Sequence, residues 1–305
     1  MYYYKVYDWI VGSEIEIPQL ITVGYSSKVD VFIKCCDIPN MVLDRIREQK
    51  EPAGQENGYY WVNTPAGYIL IKGDNEITIQ VSVNVDYDTI RTYILGYGLA
   101  FIALKRNMLA IHCCAIEKDG ESILIMGLSG AGKSTLADRF IMNGFSLVAD
   151  DMVVIEQRHN NIIAHSAFPV RKLCRDAVER LDYDITKLQY IDETKDKFAI
   201  NCTGEFCEKQ TKVKALLYLD IKNNAEIELK EYNSLDKLMT LVKNLFLYIY
   251  FKKYNILPWY MQKCIEIANK VPIYGISRPN GNIDTSQLLY EKVMRGIWNF
   301  TDDSI

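Results

Sequence analysis

Three groups of residues in this sequence carry side chains and spacings suited to chemistry. They are Gly127-Leu128-Ser129-Gly130-Ala131-Gly132-Lys133-Ser134-Thr135, the pair Asp150-Asp151, and a single histidine, His112, upstream of both. The first group fits G-x-x-x-x-G-K-[ST] without a mismatch. Its glycines let backbone N–H groups turn inward around phosphate oxygens, and a helix beginning at the lysine adds partial positive charge. Lys133 is expected to reach the β- and γ-phosphates of a nucleotide, and the Ser134 hydroxyl to ligate Mg²⁺. Gly127, Ser129, Gly130, Ala131, Gly132 and Thr135 complete the expected phosphate contacts. Two adjacent carboxylates beside a Mg-nucleotide divide labour: one holds the metal or its water, and the other takes the proton of an attacking hydroxyl. Asp150 and Asp151 are both candidate metal ligands, and Asp151 is also the candidate base.

Such residues work only if a strand, a turn and a helix position them. Ser122–Met126 reads as the strand that enters the loop, and 136–143 as the helix that leaves it, closed by Gly144. Asp119-Gly120 between two apolar runs is a type I′ hairpin signal. A two-residue turn there sets Lys118 against Glu121 and, along an unbroken ladder, His112 against Gly127. The spacing therefore predicts an imidazole beside the phosphates. After Gly144 a strand ends at Asp150-Asp151, at the carboxyl edge where an α/β sheet presents residues to a ligand. Met152–Gln157 and Ile162–Ser166 then form a hairpin about His159-Asn160-Asn161, so the sheet is expected to be mixed.

His112, the loop Gly127–Ser134 and Leu147-Val148-Ala149-Asp150-Asp151, in that order and spacing, resemble the catalytic domain of HPr kinase/phosphorylase. Leu104–His112 and Phe168-Pro169-Val170-Arg171-Lys172-Leu173 look like the HPr-kinase-like proteins of bacterial peptide-biosynthesis clusters, lasso-peptide precursor kinases among them. The resemblance runs from Leu104 to Leu173. It implies that Lys133 and the loop glycines hold phosphates, that Ser134 binds Mg²⁺, that Asp151 is the proton acceptor with Asp150 beside it, and that His112 is the active-site histidine. It also implies an α/β fold: a P-loop core with a mixed sheet (HPr kinase/PEP-carboxykinase-like), an N-terminal mostly-β module and an α+β C-terminal region. The glutamate segment and the hexamer-forming C-terminal helix of HPr kinases have no counterpart here. A serine of a peptide or protein, a precursor peptide above all, is thus the expected acceptor in place of HPr.

The remaining chain is read as support. Three parts are expected: 1–88, an antiparallel β module with a polar loop at 48–58; 89–213, the kinase core, opened by one apolar helix over 88–106; and 214–305, packed on that core. Arg171 and Lys172, just downstream of the site, are expected to clamp the nucleotide or an acidic substrate, with Lys197 a weaker candidate for closing over the phosphates. A helix from Leu235 to about Lys253 ends among aromatics, including Tyr254, and the tail from Thr301 is expected to fray. A net charge of −4 over 305 residues with no basic stripe excludes nucleic acid as the main partner. The longest apolar run, Leu245–Phe251, falls well short of a membrane span. The Met1-Tyr2-Tyr3-Tyr4-Lys5 start lacks a signal-peptide layout, so a cytoplasmic protein with reduced thiols is expected; its eight cysteines include no C-x-x-C pair. The expected activity is ATP- and Mg²⁺-dependent phosphorylation of a serine, and association with copies of itself is compatible with the sequence. Two alternatives share the loop: a kinase of free serine, and a nucleotide-hydrolysing switch. Against the switch, the sequence offers no later apolar strand ending in aspartate and no ABC-type signature.

Overall fold

The computed structural model describes every residue except 57, 83–84, 86, 181–182, 193–195, 224–225, 249, 252–256, 282–283 and 300–305. The expectations for Lys253, Tyr254 and the tail from Thr301 lie outside the described residues. Two compact units emerge, Met1–Ala110 with Phe246–Ile256, and Ile111–Leu245 with Leu257–Ile305.

In the first unit, β1 (Tyr2–Val6), β2 (Trp9–Ser13), β3 (Ile21–Thr22), β4 (Val31–Cys35), β5 (Ala53–Glu56), β6 (Tyr59–Thr64), β7 (Gly67–Lys72) and β8 (Glu76–Val81) form one sheet. Its order is β3-β1-β2-β4-β8-β7-β6-β5. The expected strands in 59–82 are there. The sheet is nevertheless mixed, because β4 runs parallel to both β2 and β8. The polar stretch expected as a loop contains the end of helix α1 (Asn40–Gln49) and strand β5. Leu43 and Ile46 of α1 are buried with Trp61 and Leu70, a helical spacing of apolar residues hidden inside a charged segment. The expected single helix over 88–106 is three segments: α2 (Tyr87–Tyr93), a π turn over Ile94–Gly98, and α3 (Leu99–Lys105). Gly96 and Gly98 fall in the π turn; a Cβ on either would press on Phe246 or Ile77, at 3.2 Å in both cases.

The chain leaves this unit through β9 (Leu109–Ile111). The second unit is built on a mixed sheet whose strands are β10 (Cys114–Lys118), β11 (Glu121–Gly127), β12 (Ser146–Ala149), β13 (Val153–Arg158) and β14 (Asn161–His165), joined by β18 (Thr211–Lys222), β19 (Leu229–Glu231) and β20 (Ile273–Pro279). β15 (Val170–Cys174), β16 (Gln189–Asp192) and β17 (Lys197–Asn201) make a separate three-stranded sheet ordered β15-β17-β16. The main sheet runs β12-β10-β11-β18-β14-β13, with β20 parallel to β18 and β19 on β20. The 12-residue β18 is long enough to pair with β14 at its start and β20 at its end. Helix α4 (Lys133–Met142) packs Leu136, Ala137 and Phe140 into a core with Ile123 and Ile125 of β11 and Leu217 and Leu219 of β18. Burying each such side chain contributes roughly 1.5–3 kcal/mol.

β18 crosses the expected boundary at 213, so no separate unit begins there. It also overturns the argument used against a hydrolysing switch. Leu216-Leu217-Tyr218-Leu219 is an apolar run that ends in Asp220, directly beside and parallel to the strand entering the glycine loop. Kinase and hydrolase therefore have to be separated by the site itself. The expected helix 235–253 is interrupted: α6 (Ser234–Lys243) ends at Lys243, and Tyr248, Tyr250 and Phe251 are helical again. Asn244 then turns its carbonyl to the His112 N–H at 2.7 Å, and Leu245 bridges Ile111, so the backbone is diverted into β-type contacts. Helices α7 (Pro258–Lys270) and α8 (Ser286–Ile297) follow. No described helix is long and apolar enough to cross a membrane.

Candidate functional site

The hairpin that positions the site has the expected register. Asp119 and Gly120 both adopt positive φ, 55° and 80°, as a type I′ turn requires. Lys118 faces Glu121, and the ladder continues without a bulge to Cys114 opposite Ile125. There it stops. His112 lies two residues beyond the last pair and is held instead by its N–H bond to Asn244. The imidazole faces Asp151, with Nδ1 at 2.9 Å from the Asp151 carbonyl oxygen and 3.5 Å from Oδ1. A carbonyl can only accept, so Nδ1 carries the proton. Burial and the nearby Lys133 ammonium push the His112 pKa down, against the pull of Asp151. The ring thus donates through Nδ1 to the Asp151 carbonyl and fixes that backbone.

The loop leaves β11 at Gly127, where φ is +145° and a Cβ would stand 2.5 Å from the Leu219 carbonyl of β18. Only glycine fits so close to a neighbouring strand. Gly130 and Gly132 are also left-handed, with φ +80° and +102°, and the Ala131 N–H donates to Leu128 O at 3.1 Å. Leu128, Ser129 and Gly130 are exposed, while Ala131 is buried. Lys133 opens α4 and folds back, its Nζ donating to the carbonyls of Gly127 at 2.8 Å and Leu128 at 3.2 Å. Burial lowers its pKa, while Asp150 and Asp151 act to raise it. Ser134 and Thr135 follow in the first turn of α4, half-buried.

β12 delivers the two aspartates. The Met152 N–H donates to Asp150 O at 2.8 Å, making a three-residue turn with Asp151 at its apex and φ +68°. A left-handed aspartate costs on the order of 1–3 kcal/mol, a strain that concentrates at functional sites. The turn splits the carboxylates. Asp150 Oδ2 accepts the Lys172 N–H at 2.8 Å, and Asp151 Oδ2 pairs with Lys172 Nζ at 2.9 Å. Burial works against the Asp151 charge, but Lys172, His112 and Lys197 outweigh it and hold the carboxyl well below the usual carboxylate range. Lys197 of β17 also acts electrostatically on Lys133, lowering its pKa.

Arg171 departs from expectation. Its side chain is 2% exposed and is turned inward to an ion pair with Asp138 of α4, while NH2 donates to Ser134 O at 3.3 Å. Burial opposes the guanidinium charge, and the Asp138 bond more than offsets it. A nucleotide cannot reach this group; it anchors α4 to β15. Lys172 likewise pairs with the carboxylate of Asp151 where a phosphate clamp was expected. Because successive residues of a strand point to opposite faces, Arg171 grips the loop helix while Lys172 grips the aspartates. Asp138 and Arg278 are the two residues that sequence reasoning passed over. Asp138 is an acid among Leu136, Ala137 and Phe140, an acidic residue on an otherwise apolar helix face, which is a usable signal for a buried ion pair. Arg278 of β20 donates from Nε to Ala131 O at 2.8 Å and from NH2 to Gly130 O at 3.3 Å. It lies more than 140 positions from the loop, and nothing local marks it.

A Mg²⁺ ion carried by a nucleotide would find hard oxygen donors here: the Ser134 hydroxyl and the Asp150 carboxylate, of which only Oδ2 is engaged by Lys172. Mg²⁺ keeps several waters and uses one or two carboxylates plus phosphates. That demand is smaller than a cage of three or more protein ligands, and no such cage of His, Cys, Asp or Glu occurs among the described residues.

Residues 105–175 match the family model described as the HPr serine kinase C-terminal domain. The HPr kinase/phosphorylase of Lactobacillus delbrueckii subsp. bulgaricus is 24% identical over 209 residues, covering 65% of this chain and 60% of that protein. Those of Lactobacillus acidophilus and Lachnoclostridium phytofermentans are 37% identical over 70 residues and 41% over 59, covering 23% and 19% of this chain and 21% and 19% of theirs. These matches span less than two thirds of the length of each relative. The Hpr(Ser) kinase/phosphatase structure from Coxiella burnetii covers 62% of this chain and 97% of its own, at 14% identity and a TM-score of 0.33. The matched segment holds His112, the glycine loop, both aspartates, Arg171 and Lys172. Over that segment the chain is similar to the HPr kinase-like family, as its motifs led us to expect.

Proposed function

We propose that this protein is a Mg-ATP-dependent kinase that transfers the γ-phosphoryl group to a serine hydroxyl of a peptide or protein, with the precursor peptide of a modified-peptide pathway as favoured acceptor. The observation that carries the proposal is the turn at Asp150-Asp151, fixed by His112 and Lys172, on the strand order that also delivers the glycine loop. A carboxylate fixed beside the glycine loop suits deprotonation of a hydroxyl acceptor; a hydrolysing switch would use the same group to orient water, so the response to an acceptor separates the two. The related proteins are named HPr kinase/phosphorylase, and the kinase half of that description fits this donor set.

In this reading the Gly132 N–H and the Lys133 ammonium bind phosphate oxygens, with Lys133 exchanging the Gly127 and Leu128 carbonyls for the nucleotide. Ser134 and Asp150 would hold Mg²⁺, which supplies charge neutralisation between the phosphates when bound. Asp151 accepts the proton of the attacking serine hydroxyl as the new O–P bond forms and the bond to ADP breaks. His112, donating to the Asp151 carbonyl, keeps the turn in place. Lys172 and Lys197 balance the charge that accumulates around the transferred group.

The test is intact-mass analysis of candidate acceptors incubated with ATP and Mg²⁺. A mass gain of one phosphate on a serine peptide supports the proposal. Phosphorylated free serine without labelled peptide transfers the site to a small-molecule kinase. ATP hydrolysis that is unchanged by every acceptor refutes the kinase reading.

A further inference from the structure

β20 ends in Ser277-Arg278-Pro279 and runs parallel to β18, with Arg278 level with Ile221. The Arg278 guanidinium spends all three of its nitrogens on carbonyl oxygens: Ala131 at 2.8 Å, Gly130 at 3.3 Å and its own neighbour Pro279 at 3.2 Å. Among the described residues it makes no ion pair, so its charge is not neutralised by a carboxylate.

Two of those three carbonyls belong to the glycine loop. The C=O and N–H on either side of a trans peptide bond point in opposite directions. A carbonyl of Ala131 turned to Arg278 therefore sends the Gly132 N–H the other way, toward the concave side of the loop. The Gly130 carbonyl turned to Arg278 likewise aims the Ala131 N–H inward, where it closes the turn on Leu128 O. The Ala131–Gly132 peptide has a strong need for such a hold. Gly132 tolerates both signs of φ, so this peptide can flip at low cost and would then present an oxygen to a phosphate.

We infer that Arg278 is a positioning residue of the phosphate loop: it holds the Gly130 and Ala131 carbonyls outward, keeps the Gly132 N–H aimed at the phosphate before the ligand arrives, and lends the loop an unneutralised positive charge. The inference rests on the nucleotide-binding part of the proposed function and assigns a new participant to it. The guanidinium stays behind the loop and touches carbonyls only, so it acts on phosphate through the backbone. Lysine, a point charge on a flexible stem, can keep the charge but not the two-carbonyl fork.

The experiment uses the full chain as wild type, Arg278→Met and Arg278→Lys, with ADP and inorganic pyrophosphate as probes in titration calorimetry. Loss of two charge-assisted hydrogen bonds that organise the loop should weaken both probes about tenfold in Arg278→Met. Arg278→Lys should fall between that variant and wild type, and kcat at saturating ATP should change less than the KM for ATP. Unchanged ADP and pyrophosphate affinities in both variants overturn the role of Arg278. So does a loss confined to ADP, which would place the residue at the base or sugar. If Arg278→Met does not fold, Arg278→Lys alone decides, since equal affinity in that variant and wild type removes the fork from the argument. A wild-type chain that binds neither probe overturns the nucleotide reading itself, and this inference with it.

Discussion

The Asp138–Arg171 ion pair joins the loop helix α4 to β15, and the two halves of the pair should fail differently. Both side chains are almost fully buried, at 7% and 2% exposure. Breaking such a pair costs about 3–5 kcal/mol, because the surviving charge is left without a partner. In Asp138→Ala the survivor is a guanidinium that cannot shed its proton, so the penalty holds at any working pH. In Arg171→Met the survivor is a carboxyl whose pKa burial already raises, and protonation relieves it. The ceiling on that variant's penalty is the cost of protonating an aspartate of ordinary pKa near 3.9, about 4 kcal/mol at pH 7 and about 1.5 kcal/mol at pH 5. The sign follows from linkage: a carboxyl whose folded pKa is raised favours the folded state at low pH and loses that advantage as pH rises through the folded value. At roughly 2–4 °C per kcal/mol for a unit of this size, both variants should melt about 10 °C below wild type at pH 7. At pH 5 Arg171→Met should recover to within about 5 °C while Asp138→Ala does not. Thermal melts of the three proteins at both pH values, each variant compared with wild type at the same pH, measure this directly. Equal deficits at pH 5 and pH 7 for both variants would refute the buried, charged pair.

Three further outcomes are expected. Gly127→Ala should destabilise the fold far more than Gly130→Ala, because its Cβ meets Leu219 O at 2.5 Å whereas Gly130 carries only the left-handed backbone cost of about 1–2 kcal/mol; urea melts that rank the two alike would contradict it. Asp151→Asn should bind ADP within a few-fold of wild type yet lose about 10²–10⁴ in phosphoryl transfer; full transfer would remove Asp151 as the base. Lys133→Met should weaken ADP about tenfold or more while leaving the fold intact, checked by calorimetry beside a far-UV spectrum.

What could be read from the sequence was whatever local chemistry controls. Asp119-Gly120 determines the β10–β11 register because two consecutive positive-φ residues leave one hairpin geometry, and the observed ladder follows it residue for residue. The glycine loop and the aspartate turn were legible for the same reason. The position of His112 was only half legible: the ladder ends at Cys114, and a long-range bond to Asn244, invisible to any local pattern, decides where the imidazole goes. Arg171 was misread as a nucleotide clamp because a basic residue near a phosphate site looks the same whether it faces outward or toward a buried Asp138. Helix α6 breaks at Lys243 for a tertiary reason, since the apolar periodicity continues past the point where Asn244 and Leu245 are recruited by the opposite strand. Arg278 was out of reach because only the parallel pairing of β18 and β20 brings it to the loop.

That pairing carries a consequence for where this protein can be cut. The family-matching stretch 105–175 contains the loop strand β11 but only one of its two partners; the other, β18, begins at Thr211. Excised at the limits of the match, the stretch would carry an orphan edge along seven residues of β11, with unpaired backbone and the apolar floor of α4 laid bare. An exposed apolar edge of that kind recruits other chains. The portion most recognisable by descent is thus not autonomous. Its architecture is completed by β18 and β20, which lie outside that stretch, and a fragment in which β11 keeps both of its neighbours must extend at least through β18.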